Sequence, residues 1–364
     1  MKGKGVALFL IAAAVLIGCE LDLGKGTAGS QGMLSVEVTG VPGESRGIGN
    51  DSSVVKVFIR VFDASRNVMQ PKAGTLGSIS TTETNAVELV KVQDSWKASF
   101  GVTNPAGTMT LVAYAVDAQG RHLYSGHAST SSENGSISIS VSDRYVVGGD
   151  AATNWGPAGG YIFYDKGSYS DGWRYLEASP HDLDGSWNGF ALDSGYSVNA
   201  QGDVIDASNN VVASRFDWYW GPNNQNIGTE MPVSKGTPNT LKLVDVDATT
   251  SVTPRIKKFV PRPYNAEALA RRMVSTTVWN LEKNGVSGWF TPSKEELEEM
   301  YNNLRSFGGF AAKKYWSSTE DEIFTRNDGE GAKQAYYVDF GADTLTSNVA
   351  GRYQLYRVRP ARRF

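Results

Sequence analysis

Between Met33 and Ser142 the chain is a succession of short β-forming runs, each closed off by turn residues, and no stretch holds a 3.6-residue apolar period for long. The runs are Leu34 to Val38, Val54 to Phe62, Ala86 to Val92, Trp96 to Val102, Thr108 to Val116 and Ser136 to Val141. Val41-Pro42-Gly43, Gly49-Asn50-Asp51, Thr103-Asn104-Pro105, Ala118-Gln119-Gly120 and Glu133-Asn134-Gly135 separate them. Strands of this length at this spacing predict an antiparallel β-sandwich over residues 33–142.

A second composition begins near Tyr145, where Gly148-Gly149, Gly156-Pro157 and Gly159-Gly160 precede an aromatic strand from Tyr161 to Tyr164. The domain boundary is placed at Ser142 to Asp150. Trp173 to Ala178 reads as a partner strand, and Gly185 to about Arg262 reads as a long polar insertion without sustained periodicity. Two helices are predicted after it. From Asn265 to about Lys283, Ala266, Leu269, Ala270, Met273, Val274, Thr277, Val278 and Leu281 share one face. In the second, Ser293 and Glu296 have the spacing of a capping box, and Leu297, Met300, Tyr301 and Leu304 form the buried stripe. Tyr315 to Thr319, Ala335 to Phe340 and Leu355 to Pro360 follow as strands.

The chain has 364 residues, 40% of them hydrophobic and 20% charged, enough for a substantial core and for two domains. A formal net charge of -3 supplies no basic field to gather phosphate backbones, so nucleic acid is not an expected partner. At the N-terminus, Lys2 and Lys4 precede an apolar run from Val6 to Ile17, which matches a secretory signal over residues 1–18. That run is short of the roughly 20 apolar residues a membrane span needs. Leu16-Ile17-Gly18-Cys19 resembles the bacterial lipobox, and Cys19 is the sole cysteine, without a disulfide or metal partner of its own kind. The resemblance implies cleavage before Cys19, acylation of its sulfur, and membrane anchoring through the lipid. Residues 19–32 then form a flexible, lipidated tether rich in Gly, Ser, Thr and Ala. Glu20 rather than Asp follows the cysteine, which by the same resemblance favours the outer membrane, with surface exposure left open.

The sandwich resembles immunoglobulin or fibronectin-type modules, although the Cys-Trp-Cys signature is absent. The second half carries five ordered motifs: Gly159 to Gly167, Asp171 to Ala178, Trp289 to Leu297, Tyr315 to Thr319, and Arg357-Val358-Arg359-Pro360. Together they are similar to the C-terminal domain of bacterial collagen-like adhesins. This resemblance, from about Gly159 to Arg363, implies a C-type-lectin-like fold related to the formylglycine-generating enzymes for residues 143–364, an α+β domain of two helices against a small twisted antiparallel sheet. Where relatives commonly read Asp-Trp-Arg-Leu-Pro-Thr, this chain has Gly288-Trp289-Phe290-Thr291-Pro292-Ser293. The family's cysteines are missing too, so oxidase chemistry is not expected and the core alone must hold the domain.

The most site-like cluster is Asp217-Trp218-Tyr219-Trp220-Gly221-Pro222-Asn223-Asn224. Its flat aromatic faces can stack on sugar rings or partner side chains while Asn223 and Asn224 donate and accept hydrogen bonds; alternatively, Trp218 and Trp220 plug a satellite core. Arg357 and Arg359 share a strand face, where they either offer a basic strip, which the adhesin resemblance implies could meet sulfated polysaccharide, or pair with nearby acids. His122 and His127 lie five residues apart, which on a regular strand puts them on opposite faces and argues against a zinc pair. Asp182 with Asp184, Asp245 with Asp247, and Asn327 with Asp328 and Glu330 offer oxygen clusters for calcium or solvated loop carboxylates, and no cofactor or metal is expected. No pair of acids is singled out for glycoside hydrolysis. The expected function is non-catalytic binding of glycan or protein by an envelope lipoprotein. A structural envelope lipoprotein without a ligand and a carbohydrate-active enzyme are the alternatives.

Overall fold

A computed structural model describes residues 32–40, 47–103, 107–183, 196–198, 204–206, 208, 211–213, 232–240, 283–321, 334–351 and 356–364. About half of them lie in β-strands of five sheets, and Gly32–Phe364 groups as one compact unit. Two sheets build the first part. One has the order β11 (Gly135–Val141), β1 (Leu34–Gly40), β8 (Ser95–Val102), β4 (Pro71–Leu76), with β7 (Val90–Val92) also along β8. The other has the order β10 (His122–Thr130), β9 (Met109–Val116), β2 (Lys56–Phe62), β6 (Val87–Glu88), β5 (Ser78–Ile79), with β3 (Val68–Met69) on β2. Pairing is antiparallel except between β1 and β11, which run parallel from Leu34 opposite Gly135 to Gly40 opposite Val141.

Strand alternation sends Leu34, Val36 and Val38 of β1 inward, where they share a core with Val57, Ile59 and Val61 of β2 and Leu111, Ala113 and Ala115 of β9. The run Ala86 to Val92, expected as one strand, is two. Its first part pairs with β2 and its second with β8, in different sheets, because buried Leu89 carries the chain across the core between them. β10 lacks the apolar alternation that marks the other strands and was not predicted; it carries both histidines. A register shift between His122 and Tyr124 adds one residue to that strand. His122 therefore pairs opposite Val116 and His127 opposite Val112, on one face. This corrects the expectation of opposite faces; the pair is kept apart by four rungs of ladder instead.

On β2 and β9 both faces are buried. Outside the sandwich core, Phe58, Arg60, Phe62, Thr110, Val112, Tyr114 and Val116 are all shielded from solvent. The rest of the chain supplies the cover. Its first sheet has the order β12 (Tyr161–Ser170), β13 (Trp173–Ala178), β21 (Ala361–Arg363), β17 (Trp289–Phe290). The helix α1 (Lys294–Leu304) and the antiparallel sheet β18 (Lys314–Glu320), β19 (Gln334–Asp339), β20 (Ser347–Gly351) complete it. Leu297, Met300, Tyr301 and Leu304 of α1 pack with Phe163, Trp173, Phe290, Tyr315, Val338 and Phe340 in a second core. Ser293 caps α1 with the expected reciprocal bonds to Glu296, and Lys294 pairs with Glu298 at 2.7 Å.

Of the expected strand from Leu355 to Pro360, Leu355 lies outside the described residues; the remainder holds a bridge of Arg357 to Tyr315, and β21 begins directly after Pro360. Inside the insertion, β14 (Tyr196–Val198), β15 (Val204–Asp206) and β16 (Val211–Ala213) form a small antiparallel sheet. Of the helix expected from Asn265, only Lys283 is described, and it belongs to a hairpin: Lys283 and Val286 exchange two backbone bonds across Asn284-Gly285. Among the described residues no helix is long and apolar enough to cross a membrane.

Candidate functional site

The seam over the outer face of β2 and β9 is built around two buried arginines. Arg60 stands between Phe58 and Phe62 in β2 and donates to the Pro157 carbonyl at 2.7 Å, the Thr84 carbonyl at 3.1 Å and Glu83 at 2.7 Å. Arg66 follows in the turn after β2. Its guanidinium lies between the rings of Trp155 and Tyr161, 3.8 and 3.7 Å from their centroids. It donates to the carbonyls of Ala151, Asn154, Gly159 and Gly160 at 2.6 to 3.2 Å. Burial pushes it down to about 10 against the opposing pull of Tyr161 and Glu177, which leaves it charged at neutral pH. Asn284, in the left-handed conformation its hairpin turn requires, accepts from Val68 N and donates to the carbonyls of Arg66 and Ala158. At the far end His122 stacks on Tyr114, bonds Tyr145 at 2.7 Å and packs on Phe364; burial, with Arg362 and Arg60 nearby, holds it well below its ordinary pKa.

Two carboxylates organise the second half internally. Glu177 accepts from Ala158 N and Gly160 N with one oxygen and from Arg362 with the other. Its pKa is raised by burial, against the pull of Arg362 and the two N–H groups. Asp182 accepts from Tyr315 at 2.8 Å, Arg357 at 3.2 Å and Arg359 at 2.8 Å. Arg359 has no exposed surface, stacks on Phe310 at 4.0 Å and also reaches the carbonyls of Ser179, Gly308 and Gly309. Both strip arginines thus converge on one acid inside the fold.

A third cluster lies where the insertion meets α1. Residues 232–240 dock against the acidic first turn: Val233 N bonds Glu295 at 3.2 Å and Ser234 N bonds Glu296 at 2.9 Å. Ser293 donates to the Pro232 carbonyl, Thr291 N donates to Thr240 Oγ1 at 3.0 Å, and Asn239 donates to Ser318 at 3.3 Å. Asn239, Thr240, Thr291, Ser293, Glu296, Ser317, Ser318 and Thr319 are all fully buried. Desolvation pushes Glu296 up to about 7 in spite of the N–H groups aimed at it. The chemistry available here is positioning: the carboxyls accept backbone hydrogens.

The remaining sequence candidates, Cys19, Trp218, Tyr219, Trp220, Asn223 and Asn224, lie outside the described residues, as do Asp184, Asp245, Asp247, Asn327, Asp328 and Glu330. Among the described residues, no group of three His, Cys, Asp or Glu is placed to hold a metal ion. The seam residues Arg66, Glu177 and Asn284 were not singled out from sequence. A signal for the seam existed in the near-continuous apolar runs of β2 and β9, broken by Arg60 and Thr110, which mark strands buried on both faces.

No protein-family model matches the chain. No curated protein matches it. Among solved structures it is similar to a fimbrial protein from Bacteroides ovatus, with 10% identity and a TM-score of 0.28 over 91% of this chain and 70% of that one.

Proposed function

We propose that the chain is an envelope lipoprotein of the outer membrane or cell surface, acylated on Cys19, whose C-type-lectin-like second half binds a glycan or protein ligand without catalysis. The insertion carrying Trp218, Tyr219, Trp220, Asn223 and Asn224 is the ligand-reading part. One observation carries this reading: the insertion is pinned by residues 232–240 to α1 and β18, elements with a packed core of their own, as recognition loops are mounted on a rigid scaffold. The seam of Arg60, Arg66 and Asn284 supports it by joining that scaffold to the tethered sandwich.

The test is a glycan array and a panel of host-matrix proteins probed with the unit Gly32–Phe364, beside a variant with Trp218 and Trp220 replaced by Ala. Binding that the variant loses at unchanged melting temperature supports the reading. A blank array from folded protein refutes it and favours a structural envelope lipoprotein, for which the internal pairing of Arg357 and Arg359 with Asp182 speaks. Mass spectrometry of the native product should find acyl chains on Cys19, and an unmodified sulfur there would remove the anchor from the proposal. Protease shaving of intact cells distinguishes the outer from the periplasmic face.

A further inference from the structure

The contacts that hold residues 232–240 differ in kind from those that hold α1. α1 is fixed by a stripe of four buried apolar side chains, whereas the described contacts of 232–240 are mainly hydrogen bonds to Glu295, Glu296, Thr291, Ser293 and Ser318. Val233 is its one apolar side chain at the rim of the second core. Water can replace hydrogen bonds on opening, so their net contribution is small, while buried apolar area is lost outright.

Two features of the docked state work against it. Ser234 holds a φ of 87°, a left-handed conformation that a residue with a Cβ adopts only when its surroundings impose it. The hydroxyl of Thr291 is buried with no hydrogen-bond partner. Undocking relaxes the first and hydrates the second. The docked approach itself depends on glycine at position 236, where a Cβ would collide with the Glu296 carboxyl and the Phe290 ring.

We propose that residues 232–240 are a strap that opens and recloses on the folded body, so that the insertion alternates between a pinned and a released attachment while both cores stay intact. The inference is independent of what the insertion binds. Its opening is a local equilibrium, cheaper than global unfolding.

Hydrogen exchange read by mass spectrometry tests it, following peptides over 232–240, α1 and β12–β13 of the unit Gly32–Phe364 at rising sub-denaturing urea. The strap should exchange at least about ten-fold faster than α1, at a rate that urea does not raise, as expected of local opening. Ser234→Gly relieves the strained φ and should slow strap exchange roughly three-fold while α1 is unchanged. Gly236→Ala should remove the strap's protection. Strap exchange that rises with urea in step with α1 overturns the proposal, as does a Ser234→Gly variant with wild-type exchange. Should Gly236→Ala fail to fold, the Ser234→Gly result decides.

Discussion

Truncating Arg66 to Ala should be among the most damaging single changes available in the seam. The side chain is only 5% exposed, and its guanidinium is the described donor to four carbonyls besides filling the slot between Trp155 and Tyr161. Of those carbonyls, that of Gly160 keeps a bond from Gly156 N, leaving Ala151, Asn154 and Gly159 as the main losers. Each stranded acceptor costs about 1 to 3 kcal/mol before water relaxes into the gap. Two lost cation–π contacts add about 1 kcal/mol or more each. Partial hydration, and the recovered cost of burying the cation, bring the expected loss to about 3 to 5 kcal/mol. Arg66→Lys keeps the charge and the ring contacts but not the planar fork, so it should lose about 2 kcal/mol. Urea unfolding of Gly32–Phe364, followed by tryptophan fluorescence, measures both. Because the seam couples two separate cores, the Ala variant should also broaden or split the transition. A loss below about 1 kcal/mol with one sharp transition would refute the assignment of Arg66 as the main clamp; equality of Lys with Arg would refute the role of the fork.

Two further changes probe other joints. Asn284→Asp keeps the acceptor for Val68 N but turns oxygen lone pairs on the carbonyls of Arg66 and Ala158, so the urea midpoint should fall by the equivalent of about 2 to 3 kcal/mol; an unchanged midpoint would show that the hairpin does not need this amide. Glu296 is raised from 4.5 to about 7 on folding, so its contribution is fully present below pH 4.5 and is lost as pH rises through about 7. Gln at this position does not titrate and offers one acceptor oxygen for the three N–H groups of Ser293, Ser234 and Gly236, so wild type should lead Glu296→Gln at pH 5. That lead should shrink by up to about 3 kcal/mol at pH 8, and a lead independent of pH would contradict the buried-acid reading.

The sandwich strands were legible where one period ruled: Leu34, Val36 and Val38 alternate cleanly, and so does the stripe of α1 with its Ser293 and Glu296 cap. Strand β10 was not, because Ser125, Gly126, His127 and Ser129 give no apolar rhythm and its place is set by pairing with β9. The histidine faces were misjudged for a related reason, since a bulge is a register event between two strands and leaves no mark in one of them. The insertion's strands are three residues each, too short for a period to declare itself. At the candidate site, shared-face reasoning brought Arg357 and Arg359 together, yet Asp182 lies 175 residues away from the first of them and no local pattern connects the two. Arg66 and Asn284 were invisible for the same reason: each looks like an ordinary turn residue until the opposite wall of the seam is in place.

The parallel ladder of β1 and β11 has a mechanical consequence. Leu34 opens β1 at one end of the ladder, and Val141 leaves β11 at the other. For a body held from its N-terminal side and tugged through the chain beyond Val141, tension runs along the strands, so the slanted rungs are strained together in shear rather than unzipped in turn. A covalent leash on that side and a grip on the other would load this ladder lengthwise, with its rungs sharing the force.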